Sequence, residues 1–331
     1  MSKIRKIRQW IITDTINGLV MLTPKNLKKQ GPDFLALLAL AVICIVWGTT
    51  WVVSKQGVKY ISALQMAGLR QMIGGSVYLL YFIIKRYPLP SRQDFIPLIV
   101  LSFLNFMMSN GLSTWGVKYI SAGLGSIIGA IFPLWIVLIG LFTDKVLPPR
   151  KALIGLLTGF TGICVIFYDH LPDFVNEDFR FGISLSLIAT WTWAFGTIYT
   201  KKYAKVFNPY FGLGFQMFIA GTVLSFISSF DPAYTPVTEI PSITWFAIFY
   251  LVIFGSLIGF ICYLYALQHL PTEQTSIYAY INPIVALVSG WFILNESLNP
   301  IIITGCIITL LGIYMINSSY KKKQLELSDS S

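Results

Sequence analysis

The chain has 331 residues, of which 55% are hydrophobic and 11% charged, with 24 lysines and arginines against 14 acids. Soluble domains carry about a quarter charged residues, so this composition excludes an ordinary soluble enzyme and describes a membrane protein. The net charge of +10 does not signal nucleic acid, because the basic residues sit between apolar runs and at the ends, with no basic-aromatic face on which bases could stack.

Residues 1–30, "MSKIRKIRQWIITDTINGLVMLTPKNLKKQ", are too charged for a span or a signal peptide; they read as a basic amphipathic segment lying on an anionic leaflet. Apolar stretches of about twenty residues, enough to cross some 30 Å of hydrocarbon, then follow at 34–54, 63–84, 95–116, 121–143, 151–168, 182–200, 209–230, 243–268, 273–294 and 300–317. Turn-rich segments such as "RYPLPSRQD" and "DPAYTPVTEIPS" separate them. The tail, 319–331, is basic and then polar, and reads as disordered. The expected fold class is therefore an all-α polytopic membrane protein with ten transmembrane helices.

Lysine and arginine favour cytoplasmic loops. With both termini inside, only Lys55, Lys59, Lys118 and Arg180 fall outside and Arg70 lies within the membrane; all the remaining basic residues fall inside. Both ends are expected in the cytoplasm.

The chain also repeats itself. A shift of 150 residues lays "SIIGAIFPLWIVLIGLF" from Ser126 over "SIYAYINPIVALVSGWF" from Ser276, pairing Pro133 with Pro283 and, further on, Gly155 with Gly305 and Gly162 with Gly312. A shift of 146 pairs Trp47 with Trp193, and one of 145 pairs Gln71-Met72 with Gln216-Met217 and Arg70 with Phe215. Two five-helix halves follow, 31–168 and 181–318. Five is odd, so the halves are expected to be inverted, an arrangement suited to alternating access about a site near the midplane.

Several residues are costly in hydrocarbon and are therefore candidates for that site. Arg70, the only charge between Lys59 and Lys85, has three readings: an anchor for its helix, a receptor for a substrate carboxylate, or a partner for an acid of an outer loop. Its absence from the matching place in the second half speaks against a need of the shared fold, but the expectation is that Arg70 is mainly an anchor, with substrate contact concentrated on Trp47, Asn110, Trp193 and Tyr263. Gln71 and Gln216 are expected to behave alike. Asn105 and Asn110 need amide partners, either between helices or in a cavity. Trp47, Trp115 and Trp193 could grip apolar or cationic groups, and Tyr263, Tyr278 and Asn282 add hydroxyl and amide groups. Pro133 and Pro283 free carbonyls in mid-helix and are expected to mark bends. Gly125 and Gly129, like Gly155 and Gly159, permit close helix contact or a homodimer face. Cys44, Cys164, Cys262 and Cys306 show no metal or redox spacing.

No Walker loop or zinc pattern is present, and no acid lies securely in mid-membrane. No cofactor, metal, catalytic residue or buried proton relay is expected, and enzymes need convergent acids, bases or ligands that are missing here.

"WGTTWVVSK", "AGLRQM", "KYISAGLGSIIGAIFPLW" and "HLPTEQTSIYAYINPIVALVSGWFILNESL" resemble the EamA domain of the drug/metabolite transporter superfamily, from about residue 35 to 318. The resemblance implies inverted five-helix repeats in the inner membrane, a cavity lined by helices 1, 3, 4, 6, 8 and 9, and export of amino acids, related metabolites or drugs. It also implies an acid after helices 4 and 9; Glu296 supplies the second, while Val146 stands at the first. The expected function is export of small amphipathic metabolites such as amino acids, with multidrug efflux or lipid translocation as the alternative.

Overall fold

A computed structural model describes residues 32–143, 149–203, 208–270, 278–297 and 299–329. The expected amphipathic segment at 1–30 lies outside them. The described residues form helices and no strand: α1 (Pro32–Gly57), α2 (Ala63–Ile84), α3 (Arg92–Gly116), α4 in two parts (Ala122–Ala130 and Phe132–Thr143), α5 (Arg150–Asp169), α6 (Glu177–Tyr203), α7 (Pro209–Ser228), α8 (Ser242–His269), α9 (Tyr278–Leu294) and α10 (Pro300–Asp329). Six of these, α1, α2, α3, α6, α7 and α8, are long and apolar enough to cross a membrane; shorter apolar runs lie in α4, α9 and α10. The chain is a polytopic helical membrane protein. Large apolar side chains such as Ile84, Leu157 and Phe292 point outward, as lipid-facing positions require.

Local chemistry sets the helix ends. The Asn208 side chain accepts from the Tyr210 and Phe211 amides, with Pro209 in the first turn, so α7 starts there. Asp94 accepts from the Ser91 amide at 2.9 Å and closes the start of α3. Ser62, in the capping position before α2, instead spends its hydroxyl on Asp231, tying the α1–α2 turn to the α7–α8 loop.

Helices pack in pairs that recur when the halves are exchanged. α1 packs on α8 and α9, and α6 packs on α3 and α4; α2 packs on α7, and α5 on α10. Glycines bring the last two pairs into backbone contact. A Cβ built on Gly162 would lie 2.7 Å from Gly305 O, and one on Gly312 would lie 2.6 Å from Gly155 O. These two contacts map onto each other at a shift of 150. Between α2 and α7, a Cβ on Gly75 would lie 2.4 Å from Phe218 N, and one on Gly221 would lie 2.2 Å from Met72 N.

That second pair maps onto itself at a shift of 146, and the same register relates Gly68 on Ser225 to Gly214 on Leu79. On this register Arg70 stands opposite Gln216, and Gln71 opposite Met217. The sequence match of Gln71 with Gln216 is thus off by one, because identical side chains mislead where the backbone contact is made by the glycines.

The structure also bears on the expected bends, the small-residue contacts and the tail. α4 is interrupted at Ile131, two residues before Pro133, whereas α9 continues unbroken through Pro283. Gly125 and Gly129 receive the Trp51 ring of the same chain, and Gly155 and Gly159 lie against α10 and Leu134 of the same chain. Helix α10 runs on to Asp329, into the tail read as disordered. Lysine, glutamine, leucine and glutamate are good helix formers, and an existing helix needs only propagation.

Candidate functional site

Helix α1 supplies one wall of a central cavity of about 150 Å³ through Trp47, Thr50, Trp51 and Ser54. The spacing i, i+3, i+4, i+7 is one stripe of a helix. Ser109, Asn110, Ser113 and Thr114 repeat it on α3, with Val117 just past its end, and Ser126, Gly129 and Ala130 on α4, with Phe132 beyond the break. Ala189, Thr190 and Trp193 come from α6, Phe260 from α8, and Tyr278, Ala279 and Asn282 from α9. Helix α2 contributes Arg70 alone.

Helices α3 and α8 each carry a π-helical stretch, Ser102–Gly111 and Leu251–Ile258. Widening a helix to i→i+5 bonding displaces carbonyls from their usual partners, and side chains of the site use them. Trp47 Nε1 donates to Gly255 O at 3.1 Å, and Asn110 Nδ2 reaches Asn105 O at 3.4 Å. Arg70 Nε donates to Ser256 Oγ at 3.1 Å. Gly255 makes this possible: a Cβ there would lie 2.8 Å from Arg70 Nη2 and 3.0 Å from Thr50 Cγ2.

Aromatic rings pack beside the cavity where α1 continues toward its N-terminus. Trp47 packs edge-on to Phe260 and Tyr278, at 5.1 Å in each case, and Phe132 stacks on Tyr278 at 6.1 Å. Beyond them Leu40, Ile43, Cys44 and Ala266 are buried together. The Trp193 side chain hydrogen-bonds that of Tyr278. With its amide oriented to meet acceptors, Asn282 donates to Cys44 O and Tyr278 O at 3.0 and 3.1 Å. The other end of the bundle is held by polar ties. Glu296 accepts from the Ala122 and Gly123 amides at 2.7 and 3.2 Å, and Lys55 Nζ donates to Lys118 O and Ile120 O at 3.1 and 2.8 Å. Asn295, with φ of 56°, turns the chain so that Glu296 faces back toward α4.

Of the residues singled out from sequence, Trp47, Asn110, Trp193, Tyr278, Asn282 and Arg70 meet at the cavity. The others lie elsewhere. Asn105 presses against Gly196 in the α3–α6 contact, Trp115 packs on Phe181, and Tyr263 stands behind the lining against Trp47 and Tyr278. Gln71 is fully buried with neither amide atom bonded, and Gln216 is buried on α7. Pro133 and Pro283 are not lining residues. Sequence reasoning passed over Trp51 as a site residue and missed the hydroxyl stripe Thr50, Ser113, Thr114, Ser126 and Thr190. The signal was available, since small polar residues at helical spacing in an apolar run mark a protected face.

The EamA-like transporter family matches residues 34–168 and again 180–318. The chain is 27% identical to "Uncharacterized transporter YvbV" of Bacillus subtilis (strain 168), over 89% of its own length and 96% of that protein. It is 28% identical to "Uncharacterized inner membrane transporter YedA" of Escherichia coli (strain K12), over 84% of its length and 91% of that protein. A solved crystal structure at 15% identity superposes with a TM-score of 0.61, covering 85% of this chain and 96% of that one, which is a likeness of fold. A cavity walled by helices of both matched segments, in a polytopic helical membrane protein, agrees with these matches: the chain belongs to the EamA-like transporter family.

Proposed function

We propose that this protein is a secondary transporter that exports small amphipathic metabolites, amino acids and related compounds among them. It would do so by alternating access between two inverted five-helix repeats in the inner membrane, with both termini cytoplasmic. One observation carries the reading: the cavity is walled by both halves, with packed rings beside it toward one end of the bundle and polar ties between α4 and the α9–α10 turn toward the other. Such a site can be exposed to either side by rocking one half against the other. The glycine contacts of α2 with α7 and of α5 with α10, self-matched on exchange of the halves, support the inverted repeat and provide two seams along which the halves can move. Indole and phenol rings suit an apolar body, and hydroxyls and amides suit its polar groups.

The distribution of lysine and arginine and the inner-membrane name of the Escherichia coli relative support this placement in the membrane. The test is efflux of labelled amino acids and related acids from proteoliposomes containing the purified chain. Faster release than from empty vesicles is expected for solutes with an apolar body. No acceleration across a broad panel removes the reading, and rapid dithionite quenching of labelled lipid without solute release would favour lipid translocation instead.

A further inference from the structure

Among the described residues lining the cavity, Arg70 alone carries a charge at neutral pH. It is 7% exposed. The only ion pairs among the described residues are His170–Asp173 and Arg180–Glu177, so no described carboxylate lies within 4.0 Å of Arg70. Its Nε is held by Ser256, itself fully buried, while Nη1 and Nη2 donate to nothing among the described residues. A buried guanidinium without a counter-charge is unfavourable, and its planar fork matches a carboxylate with two parallel hydrogen bonds. The glycine register places Gln216 at the corresponding position of α7, so the charge is not demanded by the repeated packing.

The remaining polar lining among the described residues is neutral. The hydroxyls of Thr50, Ser113, Ser126 and Thr190 all donate to backbone carbonyls of their own helices, at 2.6 to 3.1 Å. They therefore turn acceptor lone pairs, and no charge, toward the cavity.

Resting on the transport reading above, we propose that Arg70 is the anion receptor of this cavity, and that its solutes are small carboxylates with an apolar body. The carboxylate meets the free Nη edge, and the body lies among Trp47, Trp51 and Tyr278. An α-ammonium group finds only neutral acceptors, so it is tolerated and not required. The asymmetry between a charged receptor for one group and hydroxyls for the other fixes the order of importance: carboxylate first, ammonium second.

The experiment is equilibrium binding to the purified full chain, followed by its tryptophan fluorescence, with 3-phenylpropionate, phenylalanine and 3-phenylpropanamide. Both carboxylates should bind at least tenfold more tightly than the amide and within a few-fold of each other. Arg70→Gln should bring the amide within about twofold of the carboxylates, and Arg70→Lys should restore part of the difference. Equal binding of amide and carboxylate overturns the proposal, as does discrimination that survives Arg70→Gln, a larger loss from removing the ammonium than from masking the carboxylate, or no binding of any of the three. The wild-type comparison decides even if the variants do not fold. Flux in proteoliposomes separates the two claims. Carboxylates that bind and do not cross would end the transport reading alone, whereas flux indifferent to the carboxylate would end the receptor assignment alone.

Discussion

Alanine at Gly162 and at Gly159 gives a controlled pair on one helix. A Cβ at Gly162 would lie 2.4 Å from both Thr309 N and Thr309 Oγ1 and 2.7 Å from Gly305 O, whereas one at Gly159 would first meet Leu134 Cδ2 at an ordinary 3.4 Å. The backbone of α10 cannot turn aside as a side chain can, so Gly162→Ala must part α5 and α10 by about 1 Å, with a cost of about 3 kcal/mol or more from overpacking and lost contact. Gly159→Ala needs no such movement and gains about 1 kcal/mol of helix propensity. At about 2 °C per kcal/mol for a chain of this size, Gly162→Ala should melt about 6 °C lower and Gly159→Ala no lower than the parent. The assay is the fraction of detergent-purified protein that stays monodisperse after heating. Equal melting of the two variants would refute the argument that backbone contact between α5 and α10 holds the halves together.

Further outcomes follow from single contacts. Glu296→Ala strips the Ala122 and Gly123 amides of their carboxylate and should cost about 2 kcal/mol in the same heating assay; no loss would mean that this tie is idle. Gln71→Met removes an amide that is buried without a partner and should be neutral or stabilising; a drop of several degrees would show a partner that the structure does not contain. Hydrogen bonding from Ser62 holds the Asp231 carboxyl below the usual carboxylate range. Its contribution is therefore complete above about pH 4 and is lost as pH falls through the lowered value; Ser62→Ala should flatten that acid limb of the melting profile. Flux should persist when a protonophore collapses the proton gradient, since no carboxylate among the described residues lines the cavity; abolition of flux would require a proton carrier.

Helix α2 was legible to the residue, Ala63 to Ile84, because Ser62 and Lys85 bound an apolar run with no competing signal. α10 was not, since helix propensity carries it past the apolar run into a charged tail. The site was legible wherever a residue is expensive in hydrocarbon: Arg70, Asn110, Trp47 and Trp193 were all singled out and all meet. Asn105 takes the interhelical alternative, its amide against Gly196 on a neighbouring helix, and which alternative holds is not written in the spacing of one helix. The π-helical stretches left no trace in the periodicity, yet they aim Ser256 and the Gly255 carbonyl at Arg70 and Trp47. Register between the halves was legible to within one residue, and only the glycine contacts of α2 and α7 resolved it.

Counterflow tests the central claim most directly. Proteoliposomes of the full chain would be loaded with excess unlabelled 3-phenylpropionate and diluted into a trace of the labelled compound. A carrier that exposes one site to each side in turn predicts that label rises transiently above its equilibrium level inside, and that Arg70→Gln loses the overshoot. A monotonic approach to equilibrium would indicate an open pore, and no uptake above empty vesicles would deny transport of this class; either result contradicts alternating access at the cavity of Trp47, Arg70 and Tyr278.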